Sequence, residues 1–376
     1  MMVKKKILVI SSLSASLINF RFDLLKDLVA EGYDVVALGP DNDAKTIELL
    51  HGIGVKFKQF DLQRTGFNPL ADWVSIRSLK RIYKEEMPDF ILPYTVKPVI
   101  YGNLAKRGTK IRSLNWITGL GFYGLESKTI KDRLSKALMT YLYRKGISKD
   151  DIIAFQNNDD LQFFKRKGIL RKSKYRITPG SGINLETFPY TDASADPLKF
   201  IFVGRLIEAK GIRLFIKAAQ SIKERFSDVE FIVAGKVDKG NPNAIQEDEI
   251  NTLMQQGVVN FLGHVPNIEH YVRNSSVFVL PSMYREGVPR SILEALSIGR
   301  PIITTDNVGC RETVVPLYNG VLIPKNNVDA LIDGMEYFCK NREAIVEFGK
   351  NSHKLAEEKF DITIVNRIML DALKQL

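Results

Sequence analysis

Short β-rich runs alternate with amphipathic stretches of helical length along almost the whole chain, and this alternation limits the possible folds more than any other feature. In the first half, the predicted strands lie at 7–11, 34–38, 55–60, 89–92, 112–117 and 152–155. Predicted helices lie between them, at 20–31, 69–86, 98–106, 128–145 and 159–167. Strands that alternate with helices of this length form βαβ units around a parallel sheet.

The alternation starts again after a basic segment at 165–176, which we interpret as a linker. The predicted strands of the second half lie at 198–203, 229–234, 258–262, 277–280, 301–304 and 320–323. Pro and Gly cluster between 178 and 197, as is typical of a domain boundary. We therefore predict an α/β protein with two doubly wound Rossmann-like domains, at 1–178 and 179–358, that face each other across a cleft. The amphipathic segment 359–376 is predicted to be a helix that packs back on the first domain.

Composition excludes several classes of protein. A chain of 376 residues with 45% apolar and 26% charged residues is long enough for two globular domains and too apolar for intrinsic disorder. Its two cysteines, Cys310 and Cys339, exclude a disulfide framework and a cysteine-rich zinc site. No apolar run approaches the ~20 residues of a transmembrane helix, and the N-terminal run is too short for a signal peptide. We therefore expect a cytoplasmic protein.

Positive charge is concentrated in the first half of the chain. Residues 1–180 contain 32 Lys and Arg against 18 Asp and Glu, a net charge of +14, whereas residues 181–376 contain 22 against 25, a net charge of −3. The overall charge of +11 suggests an anionic partner, although a basic surface without a partner is the alternative. A nucleic acid is disfavoured because the basic residues are dispersed through the βαβ units, without an aromatic stacking motif or a recognition helix.

The sequence Gly119-Leu-Gly121-Phe-Tyr-Gly124 matches the dinucleotide-binding pattern GxGxxG. It follows the fifth predicted strand rather than the first, and no acidic residue for a ribose lies about 20 residues later. The first βα turn, at 11–16, contains no glycine. These departures argue against an NAD-dependent oxidoreductase, although the glycines would still let the main chain approach another ligand.

No metal site is predicted. Asp41-Asn-Asp43 has a spacing that can hold a divalent ion, but Asp and Asn are common in polar turns for local reasons. The four histidines lie far apart, and the nearest two, His264 and His270, do not share a helical face.

Two segments of the second half carry the residues with the clearest chemistry. The first follows the predicted strand 198–203 and contains Gly204, Arg205 and Lys210. A glycine at a strand end permits close approach of a ligand to the backbone, and a guanidinium, an ammonium and a helix N-terminus together suit a pyrophosphate. One Arg and one Lys in a turn would equally fit a solvated loop.

The second segment follows the predicted strand 277–280 and contains Glu286 in a loop and Glu294 in a predicted helix. Glu294 lies between Leu293 and Ala295, where an ionised carboxylate is costly without a partner. A carboxylate accepts hydrogen bonds and therefore suits sugar hydroxyls. A position on the surface of the helix is the alternative for Glu294.

Glu286 and Glu294 match the E-x7-E motif of retaining glycosyltransferases with the two-domain GT-B fold. With Gly204-Arg205, Lys210-Gly211, Gly263 and Gly299-Arg-Pro301, the second half resembles glycosyltransferase family 4. The first half resembles the members that build bacterial lipid-linked surface glycans, through the segments 19–21, 94–98, 101–102 and 118–121. The resemblance implies a hexosyltransferase that moves a sugar, expected to be an N-acetylhexosamine, from a UDP-sugar to a polyprenyl-diphosphate-linked or other surface-glycan acceptor.

The resemblance also implies roles for individual residues. Arg205, Lys210 and Glu286 would be catalytic, the two cations on the leaving diphosphate and the glutamate on the transferred sugar. Glu294 would bind the ribose hydroxyls. The other donor-binding residues would be Gly204, Val265, Gly287, Val288, Pro289, Thr118 and Gly119.

One position departs from the family pattern. Many members have a histidine before the glycine that follows the fifth strand, and this chain has Thr118, whose hydroxyl cannot become cationic near neutral pH. We expect Lys97 to supply positive charge on the acceptor side instead, together with Arg21. No metal or cofactor is expected apart from the UDP-sugar co-substrate.

The implied reaction retains the anomeric configuration and depends on electrostatic stabilisation of the leaving diphosphate. A nucleotide-sugar epimerase of the non-hydrolysing GT-B type shares the architecture and is the main alternative, but it is expected to use histidines, which are scarce here. The basic first domain would hold the enzyme at the inner face of an anionic membrane, next to a lipid-linked acceptor.

Overall fold

The computed structural model describes residues 4–63, 66, 68–125, 127, 129–238 and 244–376, and the chain forms two compact units. The first unit contains the residues up to Ser181 together with Thr363–Leu376, and the second unit is Gly182–Ile362. The sequence predicts boundaries after 178 and 358, and the start of its first domain, 1–3, lies outside the described residues.

A seven-stranded parallel sheet forms the first unit, in the order β3-β2-β1-β4-β5-β6-β7. Its strands are β1 (Lys6–Ile10), β2 (Asp34–Gly39), β3 (Lys56–Gln59), β4 (Phe90–Pro93), β5 (Arg112–Ile117), β6 (Ile152–Phe155) and β7 (Lys174–Ile177). Its helices are α1 (Ala15–Ala30), α2 (Ala44–Gly52), α3 (Pro69–Glu86), α4 (Val96–Ala105), α5 (Ile130–Gly146) and α6 (Asn158–Arg166).

A six-stranded parallel sheet forms the second unit, in the order β10-β9-β8-β11-β12-β13. Its strands are β8 (Leu198–Val203), β9 (Val229–Ala234), β10 (Asn260–Gly263), β11 (Val277–Leu280), β12 (Ile302–Thr305) and β13 (Gly320–Ile323). The remaining helices are α7 (Ile212–Arg225), α8 (Glu247–Gln255), α9 (Ile268–Arg273), α10 (Arg290–Ile298), α11 (Val328–Lys340), α12 (Glu343–Leu355) and α13 (Ile362–Lys374).

The central strands are continuous apolar runs because helices cover both faces of each sheet. In β1, Ile7 and Val9 face one core of the first unit, and Leu8 and Ile10 face the other. The C-terminal helix α13 contributes Val365, Met369 and Leu373 to the core that contains Ile7 and Val9. The two faces of one strand therefore anchor two separate layers of helices.

The interpretation of 165–176 as a linker is wrong. This segment contains the end of α6 and most of β7, and β7 pairs in parallel with β6. Because β7 is at the edge of the sheet and largely exposed, it has a basic and polar sequence rather than an apolar run. The predicted helix at 128–145 begins at residue 128, which lies outside the described residues, and α5 begins at Ile130.

Two motifs of the sequence have structural explanations. Asp43 is the N-cap of α2 and accepts a hydrogen bond from the backbone N–H of Thr46, at 3.2 Å. Arg300 is fully buried and donates to the carbonyl oxygens of Arg273 and Ser275, at 3.1 and 3.0 Å. Both residues stabilise the main chain around them, by capping a helix in one case and satisfying buried carbonyls in the other.

The described residues contain no group of three or more His, Cys, Asp or Glu side chains arranged to hold a metal ion. Within the same part of the chain, no helix combines the length and the apolar composition needed to cross a bilayer.

Candidate functional site

The order of strands in the second unit reverses between β8 and β11. From β8 the chain proceeds outward through β9 and β10, and from β11 it proceeds in the opposite direction through β12 and β13. In an open α/β sheet, ligands bind beyond the carboxyl ends of the strands at such a switch point. The loops that follow β8 and β11 contain the predicted residues Arg205, Lys210 and Glu286.

The main chains of these two loops are bound to each other. The backbone N–H groups of Met283 and Tyr284 both donate to the carbonyl oxygen of Ala209, each at 2.9 Å. Gly211, which precedes α7, has φ of +80°, and a Cβ atom there would lie 2.1 Å from the carbonyl oxygen of Pro281. A residue with a side chain would push the loops apart, so the glycine permits their close approach.

Lys210 and Glu286 meet at this switch point. The Nζ atom of Lys210 lies 2.5 Å from Oε1 of Glu286, and the two side chains are only 15% and 13% exposed. The hydroxyl of Ser282 donates a second hydrogen bond to the same carboxylate oxygen, at 3.0 Å. The pair thus fixes the ammonium of Lys210 at the carboxyl edge of the sheet, where Glu286 compensates its charge and its two other N–H groups can donate to a ligand.

Arg205 is held more loosely than Lys210. Its side chain is 50% exposed, and Nη1 lies 3.4 Å from Oδ2 of Asp238. The neighbouring Gly204 donates its N–H to the carbonyl of Ala234, and a Cβ on Gly235 would lie 1.8 Å from the carbonyl oxygen of Gly204. The backbone beneath Arg205 is therefore tightly packed, whereas its guanidinium is accessible to solvent and to a ligand.

The predicted turn Gly287-Val288-Pro289 leads directly into α10, with Pro289 as the N-cap residue. Because proline has no N–H, only Gly287 and Val288 of this turn carry amide donors. The N-terminus of α10 and the Lys210–Glu286 pair therefore belong to the same loop region after β11.

Glu294 lies in α10, and its side chain is 16% exposed. Its Oε1 accepts a hydrogen bond from Nε of Arg290, one helical turn earlier, at 3.2 Å. Burial raises the pKa of the Glu294 carboxyl, and the charge and hydrogen bond of Arg290 partly oppose this effect. The predicted apolar surroundings of Glu294 are therefore present, together with a cationic neighbour, Arg290, that was not predicted from the sequence.

Several residues after β12, which were not predicted from the sequence, position the loop that carries Glu286. The side chain of Thr305 donates to the carbonyl of Ser282, and Nδ2 of Asn307 donates to the carbonyls of Ser282 and Tyr284, at 3.2 and 2.8 Å. A Cβ on Gly309 would lie 1.8 Å from the carbonyl oxygen of Gly287. These residues could have been found from the sequence because polar residues directly follow a predicted strand there. The carboxyl ends of all strands in a parallel sheet lie at one edge, so such residues lie at the same edge as the site.

The remaining predicted donor residue of this unit, Val265, is half-buried in the loop after β10. That loop is joined to the loop after β9, because the N–H of Gly235 donates to the carbonyl of Gly263 at 2.8 Å. Through Gly204 and Gly235, the loops after β8, β9 and β10 form a continuous ridge of main chain along the carboxyl edge.

Two predicted residues of the first unit follow its fifth strand. Thr118 and Gly119 come directly after β5, both half-buried, and Gly119 has φ of +102°. Such a conformation favours glycine and lets the chain turn sharply at the strand end.

The two acceptor-side predictions, Lys97 and Arg21, are both occupied by contacts within the first unit. Nζ of Lys97 donates to the carbonyl of Gln63 at 2.7 Å and pairs with Oδ1 of Asp72 at 3.1 Å. Arg21 is 2% exposed, and its guanidinium carbon lies 3.6 Å from the ring centroid of Trp116. The charge of Lys97 is thus compensated locally, and Arg21 is packed against an aromatic ring in the interior.

Two protein-family models match the chain. The model described as "Glycosyl transferases group 1" matches residues 186–355, and the model "Glycosyl transferase 4-like" matches residues 6–157. The chain is 25% identical over 374 residues, or 96% of each protein, to an N,N'-diacetylbacillosaminyl-diphospho-undecaprenol alpha-1,3-N-acetylgalactosaminyltransferase of Campylobacter jejuni.

Solved structures share the fold at low sequence identity. A sucrose-phosphate synthase from Thermosynechococcus elongatus superposes with a TM-score of 0.83 at 18% identity, covering 99% of both chains. HepE from Anabaena, in complex with UDP and glucose, superposes with a TM-score of 0.78 at 17% identity, covering 99% of this chain and 100% of HepE. Because the two family models together span most of both units, the chain belongs to glycosyltransferase family 4, with the GT-B fold, and it is a hexosyltransferase.

Proposed function

We propose that this enzyme transfers a hexosyl group from a UDP-sugar to a polyprenyl-diphosphate-linked or other surface-glycan acceptor, with retention of the anomeric configuration. The observation that carries the proposal is the Lys210–Glu286 pair at the β8/β11 switch point, where a diphosphate would meet a fixed ammonium. HepE was solved with UDP and glucose, and the Campylobacter relative is named for a diphospho-undecaprenol-linked acceptor. These two proteins support UDP as the nucleotide and a lipid diphosphate as the carrier.

In this proposal, Lys210 and the accessible Arg205 stabilise the leaving diphosphate. As the bond between the sugar and the phosphate breaks, its electron pair moves to the phosphate oxygen, and the two cations lower the energy of the charge that develops there. The acceptor hydroxyl attacks from the same face and passes its proton to the departing phosphate. No side chain forms a covalent intermediate, and no metal ion takes part in this scheme.

The remaining residues orient the donor. Glu286, fixed by Lys210 and Ser282, accepts hydrogen bonds from hydroxyls of the transferred sugar, and Glu294 accepts them from the ribose. The amides of Gly287 and Val288 and the main chain near Val265 complete the donor site.

A UDP-release assay tests the function directly. Purified enzyme is supplied with UDP-glucose, UDP-galactose, UDP-N-acetylglucosamine or UDP-N-acetylgalactosamine, with or without an undecaprenyl-diphosphate-linked saccharide, and the anomeric proton of the product is examined by NMR. The proposal predicts acceptor-dependent UDP release with at least one donor and an α-linked product from these α-linked donors. A β-linked product, or interconversion of UDP-sugars without transfer, would contradict it.

A further inference from the structure

Helix α5 exposes a continuous apolar stripe. Ile130, Leu134, Leu138 and Tyr141 recur at helical spacing, and they are 75%, 66%, 48% and 54% exposed. The opposite side of the helix is anchored in the core of the first unit by Met139 and Tyr143, which are at most 3% exposed. The orientation of α5 is therefore fixed, and the stripe, hereafter the α5 stripe, faces outward.

Cations border the α5 stripe on both sides. At the helical repeat of 100° per residue, Lys131 lies along one edge of the stripe, and Arg133 and Arg144 lie along the other, while Lys145 continues the line of the stripe at its C-terminal end. All four are exposed. Asp132 is the one acidic residue of the helix, and it is engaged in a capping box with Thr129 at the N-terminus. An apolar stripe bordered by cations is typical of a helix that lies in a membrane interface.

Helix α3 also exposes apolar and basic residues, on the same layer of the first unit. Both α3 and α5 pack against α4, and both contribute to the same core cluster. Leu70, Trp73 and Val74 in the first turns of α3 are 79%, 58% and 43% exposed. The basic residues of its outer face, Arg77, Lys80, Arg81 and Lys84, follow them along the helix. Two helices with unrelated sequences therefore place apolar and basic groups on one outer layer of the first unit.

We propose that the α5 stripe docks on an anionic lipid bilayer, with its four apolar side chains inserted among the headgroups and the flanking cations bound to lipid phosphates. A second copy of the chain is a poorer occupant, because a two-fold contact would bring the same rows of cations against each other. The sign of the charge instead complements an anionic lipid surface.

The position of α5 connects docking with the proposed function, on which this part of the inference rests. α5 begins shortly after β5 and the Thr118-Gly119 turn, so its N-terminal end lies toward the carboxyl edge of the first sheet. An acceptor that carries a polyprenyl chain stays in the bilayer, and docking through α5 would bring that edge of the first unit to the membrane surface. Docking itself needs no donor or acceptor, so it can be tested without turnover.

Co-sedimentation with vesicles tests the docking surface. Wild type and three variants are mixed with vesicles made of equal parts phosphatidylcholine and phosphatidylglycerol, or of phosphatidylcholine alone. The variant L134Q/L138Q removes apolar contact without changing charge, and K131Q/R133Q/K145Q removes charge without changing the stripe. The variant L49Q/M254Q is the matched control, because Leu49 and Met254 are 38% and 47% exposed on other helices.

We expect wild type and the control to bind the anionic vesicles equally. L134Q/L138Q should bind about tenfold more weakly, since two partly buried leucines are lost from the lipid contact. K131Q/R133Q/K145Q should bind on the order of a hundredfold more weakly, and high salt should have the same effect on wild type. Stabilisation by UDP, measured as a thermal shift, should be the same in all four proteins because none of the substituted residues is a predicted donor-binding residue.

Wild-type binding by both α5 variants would overturn the docking proposal and leave the proposed function standing. So would a dimer of the wild type, measured by light scattering, that becomes a monomer in L134Q/L138Q without loss of vesicle binding. Absence of UDP stabilisation in every protein, with vesicle binding intact, would instead count against the donor site alone.

Discussion

The ammonium group of Lys210 lies 2.5 Å from a carboxylate oxygen of Glu286, although the two residues are 76 positions apart in the chain. They meet because β8 and β11 are neighbours at the point where the strand order of the second sheet reverses. The hydroxyl of Ser282 holds the same carboxylate from a second direction. A fixed carboxylate and a fixed cation at one sheet edge are the basis for the proposed recognition of a sugar and its leaving diphosphate.

Ser282→Ala should lower the rate of transfer by about tenfold, because Glu286 loses one of the two groups that orient it. The free energy of unfolding should fall by about 1–2 kcal/mol, because the hydroxyl also accepts a hydrogen bond from the backbone N–H of Tyr284 at 3.3 Å. Steady-state kinetics and urea denaturation measure the two effects.

Ser275→Ala is the matched control for this variant. Ser275 is also buried and donates one hydrogen bond, to the carbonyl of Tyr271 at 2.7 Å, but it precedes β11 rather than following it. Its loss should cost similar stability and leave turnover unchanged. Equal turnover in both variants would contradict a positioning role for Ser282.

Glu294 should make both stability and UDP binding dependent on pH. Burial raises the pKa of its carboxyl in the folded protein, so the folded state binds a proton at pH values where the unfolded chain has lost it. The free energy of unfolding should therefore fall as the pH rises from the ordinary glutamate pKa through the raised value. UDP affinity should decrease as the pH falls through the same range, because a protonated carboxyl accepts hydrogen bonds from the ribose hydroxyls less well than a carboxylate.

Glu294→Gln should remove both effects, and the pH series is measured by urea denaturation and by calorimetric titration with UDP. Glu347→Gln, at an exposed position of α12, changes the net charge by the same amount and should behave as wild type. A difference in stability between wild type and Glu294→Gln that does not vary with pH would contradict this account of the carboxyl.

Gly211→Ala should reduce the free energy of unfolding by about 3 kcal/mol or more. The residue has φ of +80°, and the added Cβ would lie 2.1 Å from the carbonyl oxygen of Pro281, so backbone strain adds to a steric overlap. Gly52→Ala is the control, because no atom lies within 4 Å of a Cβ at that helical position. The control should be neutral or stabilise by up to about 1 kcal/mol in urea denaturation, and similar losses in both variants would contradict the packing described between the two loops.

The fold could be predicted from the sequence because buried parallel strands are apolar along their whole length. Strands β5, β6 and β8 have the predicted bounds. The edge strand β7 was missed because only one of its sides is paired and its side chains are largely exposed, so it has no apolar run. The other edge strands, β3, β10 and β13, overlap predicted strands, so an edge position alone does not hide a strand, whereas the basic sequence of β7 does.

The sequence predicts individual residues of the candidate site but not the contacts between them. Lys210 and Glu286 each follow an apolar strand, but their contact depends on which strands are neighbours, and strand order is not visible in local periodicity. Lys97 and Arg21 were predicted to lie on the acceptor side, and the structure shows Lys97 paired with Asp72 and Arg21 packed against Trp116. Both partners come from other elements of the fold. The sequence around a Lys or Arg does not show whether a carboxylate or an aromatic ring from another element contacts that side chain in the folded protein.

The most direct test of the account is the rate of UDP release by Lys210→Gln, measured with a saturating donor and a polyprenyl-diphosphate-linked acceptor. Lys217→Gln, at an exposed position of α7, is the control with the same loss of charge. The account predicts a loss of about a hundredfold or more in kcat for Lys210→Gln, together with a lower melting temperature because Glu286 loses its buried partner, and no loss of either for Lys217→Gln. Wild-type turnover by folded Lys210→Gln would contradict the assignment of the donor diphosphate to this site.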